Sequence, residues 1–279
     1  MPELPEVETT LRGIEPALRN QRIADIVVHN PALRIPVDDS IRNACGRVIS
    51  GLHRRSKYLV IETPADRDDT DAPVGGLLIH LGMSGSLRIC HPDSEPRLHD
   101  HVELVLESGT CLRFNDPRRF GLFTWWDAPI EEHRLIRNLG PEPLTDDFSA
   151  NHLYKQSRGR SVAVKNFIMN GNIVVGVGNI YASEALFRAG IHPSRAAGRI
   201  SLKRYQELTL SIRDVLEQAI RQGGTTLRDF SAPDSQPGYF AQDLQVYERA
   251  DNPCFMCSKP IRRKVIGQRS TYYCAQCQR

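Results

Sequence analysis

His101-Val102-Glu103-Leu104-Val105-Leu106-Glu107 carries apolar side chains at Val102, Leu104 and Leu106, every second position. Residues two apart share a face of a strand, so this run predicts a half-buried strand with one apolar side. Similar short runs surround it at Arg22 to His29, Lys57 to Glu62, Leu77 to Leu81 and Cys111 to Phe114, separated by Gly, Pro and Asp clusters. Such a series predicts an antiparallel sandwich or barrel reaching to about Trp126. Inside it, Pro64 to Gly76 holds four aspartates and two glycines and predicts an exposed loop.

Upstream, Leu4, Val7, Leu11, Ile14 and Leu18 step by three and four, the stripe of an amphipathic helix with Pro5 tolerable in its first turn. A helix beginning this early holds the chain terminus in place, where termini otherwise fray. After about Ile130 the pattern turns helical. Asn179 to Ala189 predicts a helix closed by Gly190, and Ser201 caps a longer one. That second stripe is Leu202, Tyr205, Leu208, Ile212, Val215, Leu216 and Ala219, stopping near Gly223. Gly223 to about Asp243 has little periodicity, and loops of that length inside compact proteins tend to be functional or disordered.

The chain has 279 residues, which favours two or three domains. No apolar run approaches the roughly 18 residues of a membrane span. The start lacks the basic and apolar regions of a signal peptide, so a soluble, cytosolic protein is expected. The net charge of +3 says little, but its distribution says more. From Gln245 onward Arg249, Lys259, Arg262, Arg263, Lys264, Arg269 and Arg279 face only Glu248 and Asp251. Such a tail is either an electrostatic footprint for nucleic acid or a solvated basic surface.

Seven cysteines, an odd number, argue against a fully paired disulfide framework. Cys45, Cys90 and Cys111 stand in apolar or strand-like contexts and read as small buried hydrophobes. Cys254-Phe-Met-Cys257 and Cys274-Ala-Gln-Cys277 are different: two C-x-x-C pairs, sixteen residues apart, can close a tetrahedral site around one structural Zn²⁺. The intervening Lys259 to Thr271 is long enough for a β-hairpin. Free or redox-active thiols are the alternative.

The two ends together resemble bacterial formamidopyrimidine-DNA glycosylases. The matching pieces are Pro2 to Glu8, Arg54 to Leu59, His80 to Gly85, Asp116 to Gly121, Val175 to Tyr181, Pro237 to Phe240 and the cysteine-bearing tail, spread over essentially the whole chain. The resemblance implies an α+β multidomain fold: an N-terminal β-sandwich with its N-terminal helix (1–130), a helix–two-turn–helix domain (131–244) with a lesion-recognition loop at about 223–243, and a C-terminal zinc-finger β-hairpin (245–279). It also implies a monomer acting on double-stranded DNA that contains oxidised purines, with excision followed by strand cleavage at the abasic site.

The residues suit that chemistry. With Met1 removed, Pro2 presents a secondary α-amine, whose reference pKa is near 8 against about 10.4 for lysine. Attack on C1′ of the sugar would give an iminium, an electron sink for phosphate elimination. By itself the residue reads more readily as a helix-start proline, and the resemblance reverses that preference. By resemblance Glu3 is the general acid that protonates the ring oxygen. Glu6 and Glu8 suit the positive end of the helix dipole.

By resemblance, too, Lys57 at the start of a strand reaches the phosphate beside the lesion, and Arg269 assists the second elimination. Met83, Arg118 and Phe120 match residues that fill the gap left by an extruded base, although Met83 and Phe120 could be plain core. His99 and Arg160 match DNA-contact positions, with Arg158 a weaker candidate. Gly176-Val-Gly178-Asn179 lacks the third glycine of a dinucleotide fingerprint and has no βαβ context. It reads better as a helix N-terminus that grips a DNA phosphate with its N–H groups and Asn179.

Two features depart from the family pattern: the 64–76 loop is longer, and Asn170 stands where many relatives carry aspartate. Alternatives to the purine reading are an endonuclease VIII-type enzyme for oxidised pyrimidines, whose opening motif has glycine at the place of Leu4, and a non-catalytic zinc-ribbon DNA-binding protein.

Overall fold

A computed structural model describes residues 2–64, 75–127, 129–224 and 243–279. The chain divides into two compact units, one of residues 1–138 with 223–238 and one of 139–222 with 239–279.

In the first unit, helix α1 spans Leu4–Leu18 and buries Leu4, Val7, Leu11, Ile14 and Leu18. Burying each of these is worth about 1.5–3 kcal/mol, which offsets much of the entropy of ordering a chain end. The strands are β1 (Ile23–Val28), β2 (Gly51–Arg55), β3 (Tyr58–Thr63), β4 (Gly75–His80), β5 (Ser86–Cys90), β6 (Asp100–Leu106), β7 (Cys111–Asn115) and β8 (Leu122–Asp127). They form two four-stranded sheets, β1-β6-β7-β5 and β2-β3-β4-β8, whose neighbouring strands are antiparallel. Val102, Leu104, Leu106, Leu112 and Phe114 of one sheet share a core with Leu59, Ile61, Leu77, Ile79 and Phe123 of the other. The α1 stripe packs into the same core. This is the expected sandwich.

Three details differ from the sequence reading. Residues 65–74 of the expected loop lie outside the described residues, but Gly75 and Gly76 pair within β4, and glycine is needed there because a Cβ on Gly75 would lie 2.0 Å from the Trp126 carbonyl oxygen of the adjacent strand. Lys57 precedes β3 and sits in the turn after β2. The polar face of β6 is also buried: Glu103 pairs with Arg113 on β7 at 2.7 Å, with 7% and 1% of their side chains exposed.

In the second unit the helices are α2 (Ala150–Ser157), α3 (Val164–Ile168), α4 (Asn179–Arg188) and α5 (Leu202–Arg221). Ser201 caps α5 by accepting from Arg204 N–H, as expected. Gly190, at φ +63°, follows α4. The α5 residues Tyr205, Leu208, Ile212, Val215, Leu216 and Ala219 are buried. A hairpin, β9 (Arg262–Ile266) with β10 (Arg269–Tyr273), lies between the two cysteine pairs. Its Gly267-Gln268 turn has φ of +56° and +63°, the double positive φ of a type I′ turn. Among the described residues no helix is long and apolar enough to cross a membrane.

Candidate functional site

Pro2 is buried at the start of α1, and Met1 lies outside the described residues. Glu3 is the N-cap residue, with Glu6 three positions on, and the two form a capping box. Glu3 N–H donates to Glu6 Oε2 at 2.8 Å. Both carboxylates are buried, Glu3 at 2% exposed and Glu6 at 0%. Hydrogen bonding, helix capping and packing therefore converge on the first residues of the chain.

Lys57 is placed by a two-residue turn between β2 and β3, with Arg55 paired to Tyr58. Ser56 has φ +58° in that turn, a region non-glycine residues seldom occupy. Arg54 secures it: Nη1 donates to the Ser56 carbonyl at 2.8 Å, while Nε donates to Glu8 on α1 at 3.0 Å. Across the turn lies His80, whose ring stands 4.9 Å from that of Tyr58 and whose Nδ1 accepts from Gly82 N–H at 2.9 Å. Burial, then the charges of Arg34 and Lys57, push His80 down to about 3, so the ring is neutral at physiological pH. In the sequence His80 stands out only within the His80–Gly85 stretch.

Met83 is half-buried in the 81–85 turn, whereas Arg118 and Phe120 are exposed in the loop between β7 and β8. Phe120 exposes 46% of its surface, and the Arg118 guanidinium stands 5.2 Å from its ring centre. Neither Met83 nor Phe120 is a fully buried core residue. His99 is exposed at φ +74°, beside β6. The segment before it is tied down from below by Arg113, which donates to the Pro92 carbonyl at 3.0 Å, the Glu95 carbonyl at 3.2 Å and Ser94 Oγ at 3.0 Å.

In the second unit the two arginine candidates part company. Arg158 donates to the Tyr154 and Ile200 carbonyls at 3.0 and 2.9 Å and to Ser157 Oγ at 2.8 Å, so its guanidinium is bound within the fold. Arg160 is exposed, 5.8 Å from the Phe167 ring centre. Asn179 opens α4 half-buried, and its amide is engaged: Oδ1 accepts from Lys165 Nζ at 2.5 Å and Nδ2 donates to the Ser270 carbonyl at 3.0 Å. Lys165, fully buried on α3, also donates to Thr271 Oγ1 at 2.8 Å and the Ser270 carbonyl at 3.2 Å. A buried ammonium costs several kcal/mol unless its donors are matched, and here they are. It holds β10 directly beside exposed Arg269. The lesion-recognition loop expected at about 223–243 lies almost wholly outside the described residues.

The sulfurs of Cys254, Cys257, Cys274 and Cys277 lie within 4.8 Å of one another. Tetrahedral Zn–S bonds of about 2.3 Å imply sulfurs roughly 3.8 Å apart. The pairs Cys254–Cys277 at 3.9 Å and Cys257–Cys274 at 3.4 Å bracket that spacing. Four thiolates with no open position make a structural site for one zinc ion. Its apolar surround is small, Phe187, Val246 and Ile261, so the metal stands in for a core. Cys90 and Cys111 prove to be cross-strand neighbours on β5 and β7, with sulfurs 2.9 Å apart; Cys111 is buried and Cys90 half-buried.

Three family models match the chain in order: the formamidopyrimidine-DNA glycosylase N-terminal domain over residues 1–123, the H2TH domain of the same glycosylases over 139–231, and the zinc finger found in FPG and IleRS over 251–279. A sandwich, a helical body and a thiolate finger in this succession define a DNA-binding DNA glycosylase of base-excision repair. The formamidopyrimidine-DNA glycosylase of Syntrophotalea carbinolica is 56% identical, and that of Alcanivorax borkumensis 57%, each over 100% of both chains. The crystal structure of the MutM (Fpg) protein from Thermus thermophilus superposes with a TM-score of 0.87 at 35% identity, covering 99% of this chain and 98% of that one. The complex between Lactococcus lactis Fpg and abasic-site DNA gives 0.89 at 30% identity over 100% of both. The chain belongs to the formamidopyrimidine-DNA glycosylase family.

Proposed function

We propose that this glycosylase removes oxidised purines, 8-oxoguanine and formamidopyrimidines, from double-stranded DNA and then cleaves the strand at the resulting abasic site. Once Met1 is removed, the Pro2 nitrogen attacks C1′ while Glu3 protonates the sugar ring oxygen and the C1′–O4′ bond breaks; the nitrogen then loses its proton, and its lone pair expels the base, which departs with the bonding pair of its glycosidic bond and takes up a proton. The iminium formed between Pro2 and C1′ withdraws electrons from C2′; loss of a C2′ proton expels the 3′ phosphate, and a second elimination expels the 5′ phosphate. Lys57 and Arg269 hold the phosphates concerned. His99, Arg118, Arg160 and the α4 start with Asn179 contact DNA, and Met83, Arg118 and Phe120 fill the vacated stack.

One observation carries this reading: the chain's second residue is buried and directly precedes the Glu3–Glu6 capping box. A nucleophile must be held in near-attack geometry, and a frayed terminus cannot supply that. The same reading keeps the divisions 1–130, 131–244 and 245–279 and a monomer working in the bacterial cytosol; the limits of the matched domain families support the divisions.

Borohydride reduction in the presence of lesion-bearing duplex tests it. Mature protein should form a covalent adduct through Pro2, and an N-terminally blocked form should not. Trapping by both forms, or by neither, rejects Pro2 as the nucleophile. Release of thymine glycol faster than 8-oxoguanine would reverse the substrate assignment.

A further inference from the structure

Asp116 is completely buried, and its carboxylate is held by donors from two loops. Ser84 Oγ–H, from the 81–85 turn, donates to Oδ1 at 2.7 Å. Gly121 N–H donates to Oδ2 at 2.7 Å and Arg118 N–H to Oδ1 at 3.3 Å, both from Asp116's own loop. The backbone of Asp116 is fixed as well: His101 Nε2 lies 2.8 Å from its carbonyl oxygen, which also accepts Arg119 N–H at 3.2 Å. A carboxylate stripped of water is tolerable only while such donors stay in place. Separating the two loops would take the Ser84 donor from Oδ1 and leave it only the longer bond from Arg118 N–H.

A second observation binds the same loops independently. Gly82 has φ +65°, and a Cβ there would meet the Phe120 carbonyl carbon at 2.5 Å and Gly121 N at 2.6 Å. The two backbones are therefore in direct contact, with room for hydrogen only. Met83 follows Gly82, and the Arg118–Phe120 pair leads into Gly121.

We infer that Asp116 is a positioning residue that welds the Met83 turn and the Arg118–Phe120 loop into one rigid wedge, so that all three side chains enter the vacated stack together. This rests on the proposed function, in which those side chains replace an extruded base. Filling a gap in stacked DNA demands a fixed shape, because a loop that yields would let the base return. The carboxylate supplies the fixity from beneath while its own atoms never meet DNA.

Asp116→Asn keeps the volume but turns one acceptor into a donor facing O–H or N–H. Ser84→Ala leaves the carboxylate intact and removes the two Oγ bonds between the loops, the one donated to Asp116 and the one accepted from Arg118 N–H at 3.3 Å. Each variant is compared with wild type on two substrates: 8-oxoguanine in duplex DNA, where a base must leave the stack, and an abasic site in single-stranded DNA, where none does. Fluorescence of 2-aminopurine beside the lesion reports unstacking directly. The expected result is a fall in duplex excision relative to single-strand cleavage of roughly tenfold or more for Asp116→Asn, given the cost of ~1 Å misplacement, with a smaller fall for Ser84→Ala and a weaker fluorescence rise for both. Proportional loss on both substrates, or an unchanged ratio, overturns the inference. If Asp116→Asn does not fold, Ser84→Ala decides. Failure of the wild type on both substrates is a separate outcome: it refutes the Pro2 mechanism, and the wedge falls with it.

Discussion

Arg54 and Glu8 form an ion pair at 3.0 Å with only 10% and 18% of their side chains exposed. Glu8 sits one turn into the helix that begins beside Pro2, and Arg54 also holds the turn that presents Lys57. The pair therefore ties the helix that follows the proposed nucleophile to the turn that carries the proposed phosphate ligand.

Replacing Arg54 with Gln should cost about 1.5–3 kcal/mol in urea denaturation, the usual worth of hydrogen bonds to a charged partner. Lesion excision should slow by more than this loss of folded protein explains, because Lys57 is released as well. Unchanged excision would show that the turn holds its place without Arg54.

His80 makes a pH-dependent contribution to stability. Its pKa falls from an ordinary 6.5 to about 3 on folding, so the folded state resists a proton that the unfolded chain accepts. Its contribution is complete above about 6.5 and drains away as the pH drops toward 3. The urea midpoint of His80→Gln should accordingly fall less between pH 7 and pH 5 than that of wild type. Equal falls would place the ring's titration elsewhere.

One zinc per chain should be found by elemental analysis, and a strong chelator should remove it together with DNA binding. Cys254→Ser should act like chelation. Retention of tight DNA binding by metal-free protein would mean that the finger has a core of its own.

Arg158 and Arg160, two positions apart, should behave oppositely. Arg160→Ala should lower the salt dependence of DNA binding by about one phosphate's worth, a slope change near 0.9, and leave thermal stability alone. Arg158→Ala should lower stability by about 1–3 kcal/mol, because the Tyr154 and Ile200 carbonyls lose a charged donor, with the salt slope unchanged.

The parts legible in the sequence were those whose pattern is repeated locally. The α1 and α5 stripes and the cysteine spacing each announce themselves within a few turns of chain. Strand β5 gives little signal in the sequence because Ser86–Cys90 is short and carries Arg88 in its middle. Gly75 and Gly76 misled because glycine signals a loop, and only the approach of the neighbouring strand shows why a strand needs it here. Lys165, Arg113 and Asp116 were invisible as interior residues: charged side chains are seldom fully buried, and their partners lie far away in sequence. Asn179 is legible at the start of its helix, but its amide's engagement by Lys165 and Ser270 depends on residues remote in sequence.

Arg113 grips the segment before His99 mainly by main-chain oxygens, those of Pro92 and Glu95. Recognition of that kind is indifferent to most side chains along the segment. Ser94 apart, the side chains between Pro92 and Leu98 therefore have little say in the course of the chain, and the place where His99 emerges is dictated from the sheet beneath.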